Sequence, residues 1–233
     1  MTSRDLCLSC KHLLPPHDEG RQLKGMVMIH FISLTLGMIL MIATSASGES
    51  TQGNVSEQRF EKATFAGGCF WCMEPPFDKL DGVVSTVSGY TGGTEKNPTY
   101  EQVSSGKTGH LEAIQVTYDP ARVSYAQLLE VFWRNVDPTQ DTGQFVDLGP
   151  QYRTAIFYHN EEQRRLALES RNRLQESRKF AKPIVTEIRP AMEFYKAEDY
   201  HQDYYLNNPI RYKYYRWGSG RDRFLEETWG KKE

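Results

Sequence analysis

A chain of 233 residues, 39% hydrophobic and 25% charged, is long enough to bury one sizeable core and is too ordinary in make-up for a disordered or fibrous class. Its 28 basic and 30 acidic side chains leave a net charge of -2, so no bulk field favours nucleic acid or a membrane surface. Four cysteines in two CxxC pairs, Cys7 with Cys10 and Cys69 with Cys72, are too few for a disulfide scaffold at this length.

The first distinctive segment is "GMVMIHFISLTLGMILMIA", preceded by Arg21 and Lys24 and followed by the small residues "TSASGES". A basic flank, an apolar run and a small-residue exit predict a secretory signal over 25–46, cut after Ala46. The run also approaches the ~20 residues that span a bilayer, so an uncleaved anchor is the alternative. The expected location is therefore exported, periplasmic or extracellular, or membrane-anchored. Residues 1–24 are an unusual extension ahead of such a signal, and Met26 or Met28 is an alternative start. The polar, aperiodic stretch "SASGESTQGNVSEQ" predicts a linker over 47–59, with one folded domain from residue 60 to 233. A single core predicts one catalytic unit, read as a monomer.

Strands and helices then alternate. "KATFAGG" is an apolar run ending in paired glycines, and "CFWCMEPPFDKL" follows like a helix entered from a strand. Pro75 and Pro76 sit awkwardly there, because an interior proline removes a helix hydrogen bond. "GVVSTVSGY" is strand-like, "YTGGTEKNPTY" a loop, and "HLEAIQVTYDP" another strand stopped at Pro120. "SYAQLLEVFWRNV" carries a capping box, Ser124 with Gln127, and an apolar face of Leu128, Leu129, Phe132 and Val136. "QYRTAIFY" predicts a strand, and "NEEQRRLALESRNRLQESRKF" a charged amphipathic helix opened by Asn160 with Gln163. "IVTEI" adds a strand stopped by Pro190, and "AEDYHQDYYLNN" a short helix. This order predicts an α/β or α+β layered fold on a mixed sheet.

Chemistry concentrates in "AGGCFWCMEPPF". A cysteine where a glycine-ended strand enters a helix faces free N–H groups and the positive end of the helix dipole, so Cys69 is expected to have a lowered pKa. Cys72 lies one turn on, on the same side, within small adjustments of disulfide geometry. An all-cysteine zinc site would need Cys7 and Cys10 across the apolar segment and linker, which favours a redox pair over a metal. By spacing alone, that pair reads as a general thiol–disulfide oxidoreductase.

The flanking residues are more specific. "GGCFWCMEPPF" resembles the active-site segment of the type A peptide methionine sulfoxide reductases. The similarity continues through "VSTVSGYTGG", "NPTYEQVSSGKTGHLEAIQVTYDP", "DLGPQYRTAIFY" and "AEDYHQDYYLNNP", from about Ala63 to about Pro209. It implies an α/β two-layer sandwich with a ferredoxin-like core, and reduction of methionine S-sulfoxide, free or in proteins. Cys69 corresponds to the nucleophile, and Glu112 to the general acid that protonates the departing oxygen. On a largely apolar strand that carboxyl is expected to hold its proton at neutral pH. Tyr100, Tyr152 and Asp147 correspond to the polar cluster around the sulfoxide oxygen, and Phe70 and Trp71 to the apolar wall for the substrate methyl. Sulfenic acid left on Cys69 would condense with Cys72, the one thiol after Cys69, and a thioredoxin-like reductant would reopen the disulfide. No metal or nucleotide cofactor is implied. His110 and His201 are read as structural.

"RYKYYRWGSGRDRF" mixes five basic residues with aromatics. Without a wider basic face it reads as solvated surface, and no nucleic-acid partner is expected.

Overall fold

The computed structural model describes residues 60–230. Cys7, Cys10, the apolar segment at 25–46 and the linker at 47–59 lie outside the described residues. Among the described residues no helix is long and apolar enough to cross a membrane.

The chain runs β1 (Glu61–Gly67), α1 (Phe70–Asp78), β2 (Val83–Thr91), α2 (Tyr100–Ser104), β3 (Leu111–Tyr118), α3 (Tyr125–Trp133), the two-residue strands β4 (Gly143–Gln144) and β5 (Asp147–Leu148), and a 3-10 turn at Pro150–Tyr152. It continues through β6 (Thr154–Tyr158), α4 (Glu161–Glu176), β7 (Glu187–Pro190), β8 (Phe194–Lys196), a 3-10 turn at Asp199–His201, α5 (Tyr204–Asn207), α6 (Pro209–Gly218) and α7 (Arg221–Trp229).

The six-stranded sheet has the order β7-β6-β1-β3-β2-β8. Its centre, β6-β1-β3-β2, is antiparallel throughout, and with α1 and α3 as crossovers it is a ferredoxin-like β-α-β-β-α-β unit. The parallel pairing of β7 to β6 makes the sheet mixed.

Strand alternation sorts the side chains into two cores. Ala63 and Phe65 of β1 and Ile114, Val116 and Tyr118 of β3 join the helices in the main core. There Phe65 stacks on Phe77 at 5.2 Å and on Phe132 at 5.3 Å. Ala66, Leu111, Ala113, Ala155 and Phe157 fill a smaller core beneath Ala191 and Phe194. Because both faces of β3 are covered, its hydrophobic pattern does not alternate cleanly in sequence. By the same parity Glu112 points toward the helices.

Several elements depart from the sequence expectation. A Thr99–Gln102 capping box starts α2 inside the stretch read as a loop. Strand β7 lies further along than "IVTEI" and includes Pro190, at a sheet edge where a proline is tolerated. The "AEDYHQDYYLNN" helix is broken at Asp203, whose φ of 51° interrupts the helical path. "RYKYYRWGSGRDRF" forms α6 and the start of α7 and is mostly exposed or half-buried, as expected, but Arg221 within it is only 1% exposed. Pro75 and Pro76 are inside α1, which begins at Phe70.

Glu74 of α1 is buried, and one carboxylate oxygen accepts the Asp203 N–H at 3.2 Å. Burial first, opposed by that bond and reinforced by Asp78 and Asp203, raises its pKa from 4.5 to about 8. The folded state therefore keeps a proton that the unfolded chain releases above pH 4.5, and stability must fall as pH rises from 4.5 toward 8. Glu74→Gln is expected to flatten that fall in urea midpoints collected across the window. Parallel wild-type and variant profiles would contradict the assignment.

Candidate active site

The turn between β1 and α1 presents the cysteines. Gly68 has a φ of 81°, and a Cβ there would lie 2.6 Å from Gln144 Cβ and 2.9 Å from Arg221 Nη2. A side chain at this position is excluded both by conformation and by space. The neighbouring Gly67 carbonyl accepts from Arg221 Nη2 at 3.0 Å. Cys69 caps α1 without a side-chain cap bond, and the Cys72 N–H bonds back to its carbonyl at 3.0 Å. Both thiols are free and buried, Cys69 6% exposed and Cys72 fully enclosed.

The lowered pKa expected for Cys69 is not what the structure has. Burial first, then hydrogen bonding to Cys72, then the charges of Glu112, Cys72 and Asp147, push the Cys69 thiol well above its ordinary value. For Cys72 the Cys69 hydrogen bond comes first and, with Arg221 and Arg216, outweighs burial to bring it down to about 6. The helix dipole is a weaker influence than these immediate neighbours. The immediate surroundings therefore favour negative charge more at Cys72 than at Cys69.

Glu112 approaches from β3. Its Oε2 accepts the Phe70 N–H at 3.2 Å, and the residue is 2% exposed. Burial raises its pKa well above the ordinary carboxylate value, and the Asp147 and Cys72 charges add to the effect against the Phe70 bond. Burial thus favours the protonated form of Glu112.

Tyr100, Asp147 and Tyr152 come from α2, β5 and the turn after it, and all three are buried. They border a pocket of about 240 Å³ with Ser104, Gly149 and Gln151. Tyr152 is close enough to Glu112, Tyr100, Asp147 and Cys69 for their charges to raise its pKa beyond the effect of burial. Asp147 accepts the Tyr215 hydroxyl at 2.5 Å, and burial pushes it up to about 7 against that bond.

Phe70 and Trp71 form an aromatic layer beside this cluster. Phe70 is 1% exposed and lies 4.9 Å from the His201 ring. Trp71 stacks on Tyr204 at 3.7 Å and donates to His201 Nδ1 at 3.1 Å. That bond leaves the His201 proton on Nε2, and burial lowers its pKa to about 4, so the ring is neutral. His201 thus supports the wall, its ring packed at a tilt between Phe70 and Tyr100. His110, by contrast, fastens the loop at Gly93 and Glu95.

Sequence reasoning missed the residues that hold this assembly. Glu198 accepts from the Tyr100 N–H at 2.9 Å and from the Tyr90 hydroxyl at 2.7 Å. Tyr215 anchors Asp147, and Arg216 and Arg221 reach the cysteine turn. For Tyr215, Arg216 and Arg221 the sequence signal was the basic and aromatic run at 211–224.

Residues 61–233 match the family model described as peptide methionine sulfoxide reductase. The peptide methionine sulfoxide reductase MsrA of Halalkalibacterium halodurans is 58% identical over 175 residues, which cover 75% of this chain and 99% of that relative. Among solved structures, Mxr1 from Saccharomyces cerevisiae in reduced form superposes with a TM-score of 0.61 at 33% identity, over 64% of this chain and 86% of that one. Methionine sulfoxide reductase A of Corynebacterium diphtheriae does so with a TM-score of 0.58 at 34% identity, over 65% and 76%.

Proposed function

The chain belongs to the peptide methionine sulfoxide reductase family and is a methionine sulfoxide reductase; from its site we propose which epimer it takes and which residues carry the reaction. The substrate is the S epimer, free or in oxidised proteins. The observation that carries this reading is a buried Glu112, its pKa raised by that burial, in the same site as a free, buried cysteine pair. Family membership favours it over the general thiol–disulfide exchange that CxxC alone suggested.

Phe70 and Trp71 receive the substrate methyl, while the Tyr100 and Tyr152 hydroxyls, with Asp147, hold the sulfoxide oxygen. Cys69 passes its proton toward that oxygen, and its sulfur attacks the substrate sulfur. Glu112 protonates the departing oxygen as the S–O bond breaks; that oxygen adds to Cys69 Sγ as the transient bond between the two sulfurs breaks, and Glu112 recovers its proton. The products are methionine and Cys69 sulfenic acid, so the substrate gains the two electrons that Cys69 loses. Cys72 then attacks Cys69 Sγ, the oxygen leaves as water after protonation, and a Cys69–Cys72 disulfide remains. A thioredoxin-like dithiol, itself oxidised, restores both thiols. One chain carries the whole site, in keeping with a monomer. The apolar run at 25–43 supports export or anchoring, which puts that reductant outside the cytoplasm.

With resolved epimers and dithiothreitol, wild type is expected to turn over only the S form. Cys69→Ser should be inactive, and Glu112→Gln should lose roughly 10²- to 10⁴-fold in kcat. Equal turnover of both epimers, or an unaffected Glu112→Gln enzyme, would overturn the assignment. Cys72→Ser should still yield one methionine per enzyme without reductant but lose recycling by thioredoxin; unchanged recycling would remove Cys72 as the resolving thiol. Intact mass of the exported protein should begin after Ala46, and a chain retaining residues 25–46 would favour the anchor.

A further inference from the structure

The two prolines of α1 bear on Cys72. In an α-helix the carbonyl of residue i accepts from the N–H of residue i+4. For Cys72 that donor would come from Pro76, which has none. The vacant acceptor is taken by a residue 144 positions away: Arg216 Nη1 donates to the Cys72 carbonyl at 3.0 Å. The Arg216 side chain is 12% exposed, and its Nε is held by Asp222 at 2.6 Å. Arg221, fully buried, brings a second guanidinium to the same turn through Gly67 O and Met73 Sδ.

We propose that Arg216 is a positioning residue for the resolving step: admitted to α1 because Pro76 leaves the Cys72 carbonyl free, it fixes that cysteine and supplies the positive charge that keeps it a thiolate. The inference rests on the reading of Cys72 as the resolving thiol. Both guanidinium groups favour the charged sulfur, after the Cys69 hydrogen bond, against the burial that opposes it.

Two steps of the cycle benefit. The thiolate is the species that attacks Cys69 sulfenic acid, forming the S–S bond and releasing the oxygen as water after protonation. On the return, Cys69 is the less enclosed residue, at 6% exposure against none for Cys72. An external dithiol attacking Cys69 expels Cys72, and a stabilised thiolate leaves faster. The external dithiol ends oxidised and both enzyme sulfurs end reduced.

The test compares reduced wild type, Arg216→Met and Arg216→Lys. Thiolate absorbance near 240 nm is titrated with pH, and disulfide closure after one turnover is followed by acid quench and mass measurement. Arg216→Met should move the thiolate titration to higher pH and slow closure by about threefold to tenfold near neutrality, where thiolate fraction limits the rate, with little slowing at high pH. Arg216→Lys, which keeps the charge, should recover most of the wild-type titration. The first methionine should still form in every variant. Arg216→Gln, which keeps a donor for the Cys72 carbonyl but carries no charge, should shift the titration likewise, and it serves if Arg216→Met does not fold. A titration unmoved by Arg216→Met, or slowing equal at all pH values, would overturn the inference. If wild type forms no Cys69–Cys72 disulfide, the resolving role fails, while the titration still decides whether Arg216 governs the Cys72 charge.

Discussion

The structure depends on a buried positive charge that enters from the far end of the chain. Arg221 is 1% exposed and donates to Asn135 O at 2.5 Å and Gly67 O at 3.0 Å, with its guanidinium over the Phe145 ring. Desolvating a charged group is costly, and here main-chain carbonyls, an aromatic face and the charges of Cys72 and Asp147 offset the cost. The same bonds hold together the end of β1, the exit of α3 and the start of α7. Gly68 lies against this guanidinium, so the glycine pair before Cys69 serves the arginine as much as the turn.

Around that anchor the sheet supplies the acid. Phe65 and Ile114 pair across β1 and β3 on the helix side, and Glu112 shares their face two residues earlier. Its partner across β2 is Tyr90, whose hydroxyl is held by Glu198, which in turn accepts the N–H at the start of α2. A carboxyl placed there meets the first N–H of α1 on one side and apolar side chains on the other. It keeps its proton because burial outweighs the single hydrogen bond that favours the anion.

Much of this was legible in sequence because it is local. The Ser124–Gln127 box forms as expected, and Asn160 accepts from the Gln163 N–H. The Gln163 side chain, however, bonds His159 N rather than closing a full box. Likeness to a family brought Cys69, Glu112, Tyr100, Asp147 and Tyr152 forward, and the fold gathers them around one pocket edge and one helix start. The illegible part is long-range. Arg221 meets Gly67 across 154 residues and Arg216 meets Cys72 across 144, and an arginine among aromatics looks the same in sequence whether solvated or buried. Helix α2 was hidden by its length of five residues, too short for periodicity to register.

The cysteines illustrate why local rules for reactivity fail in a coupled pair. A helix N-terminus favours negative charge by a modest amount, screened within the first turn. Here two sulfurs share the site and both interact with Glu112 and Asp147, but Cys72 also faces two guanidinium groups. The surroundings therefore favour negative charge more on the second cysteine than on the first. This division suits a reaction whose first step must transfer a proton to an oxygen and whose second needs a ready thiolate. Pro76, at the seventh position of α1, is what opens the backbone to one of those guanidinium groups. A residue that weakens the helix as a helix thus adjusts the chemistry of a sulfur one turn before it.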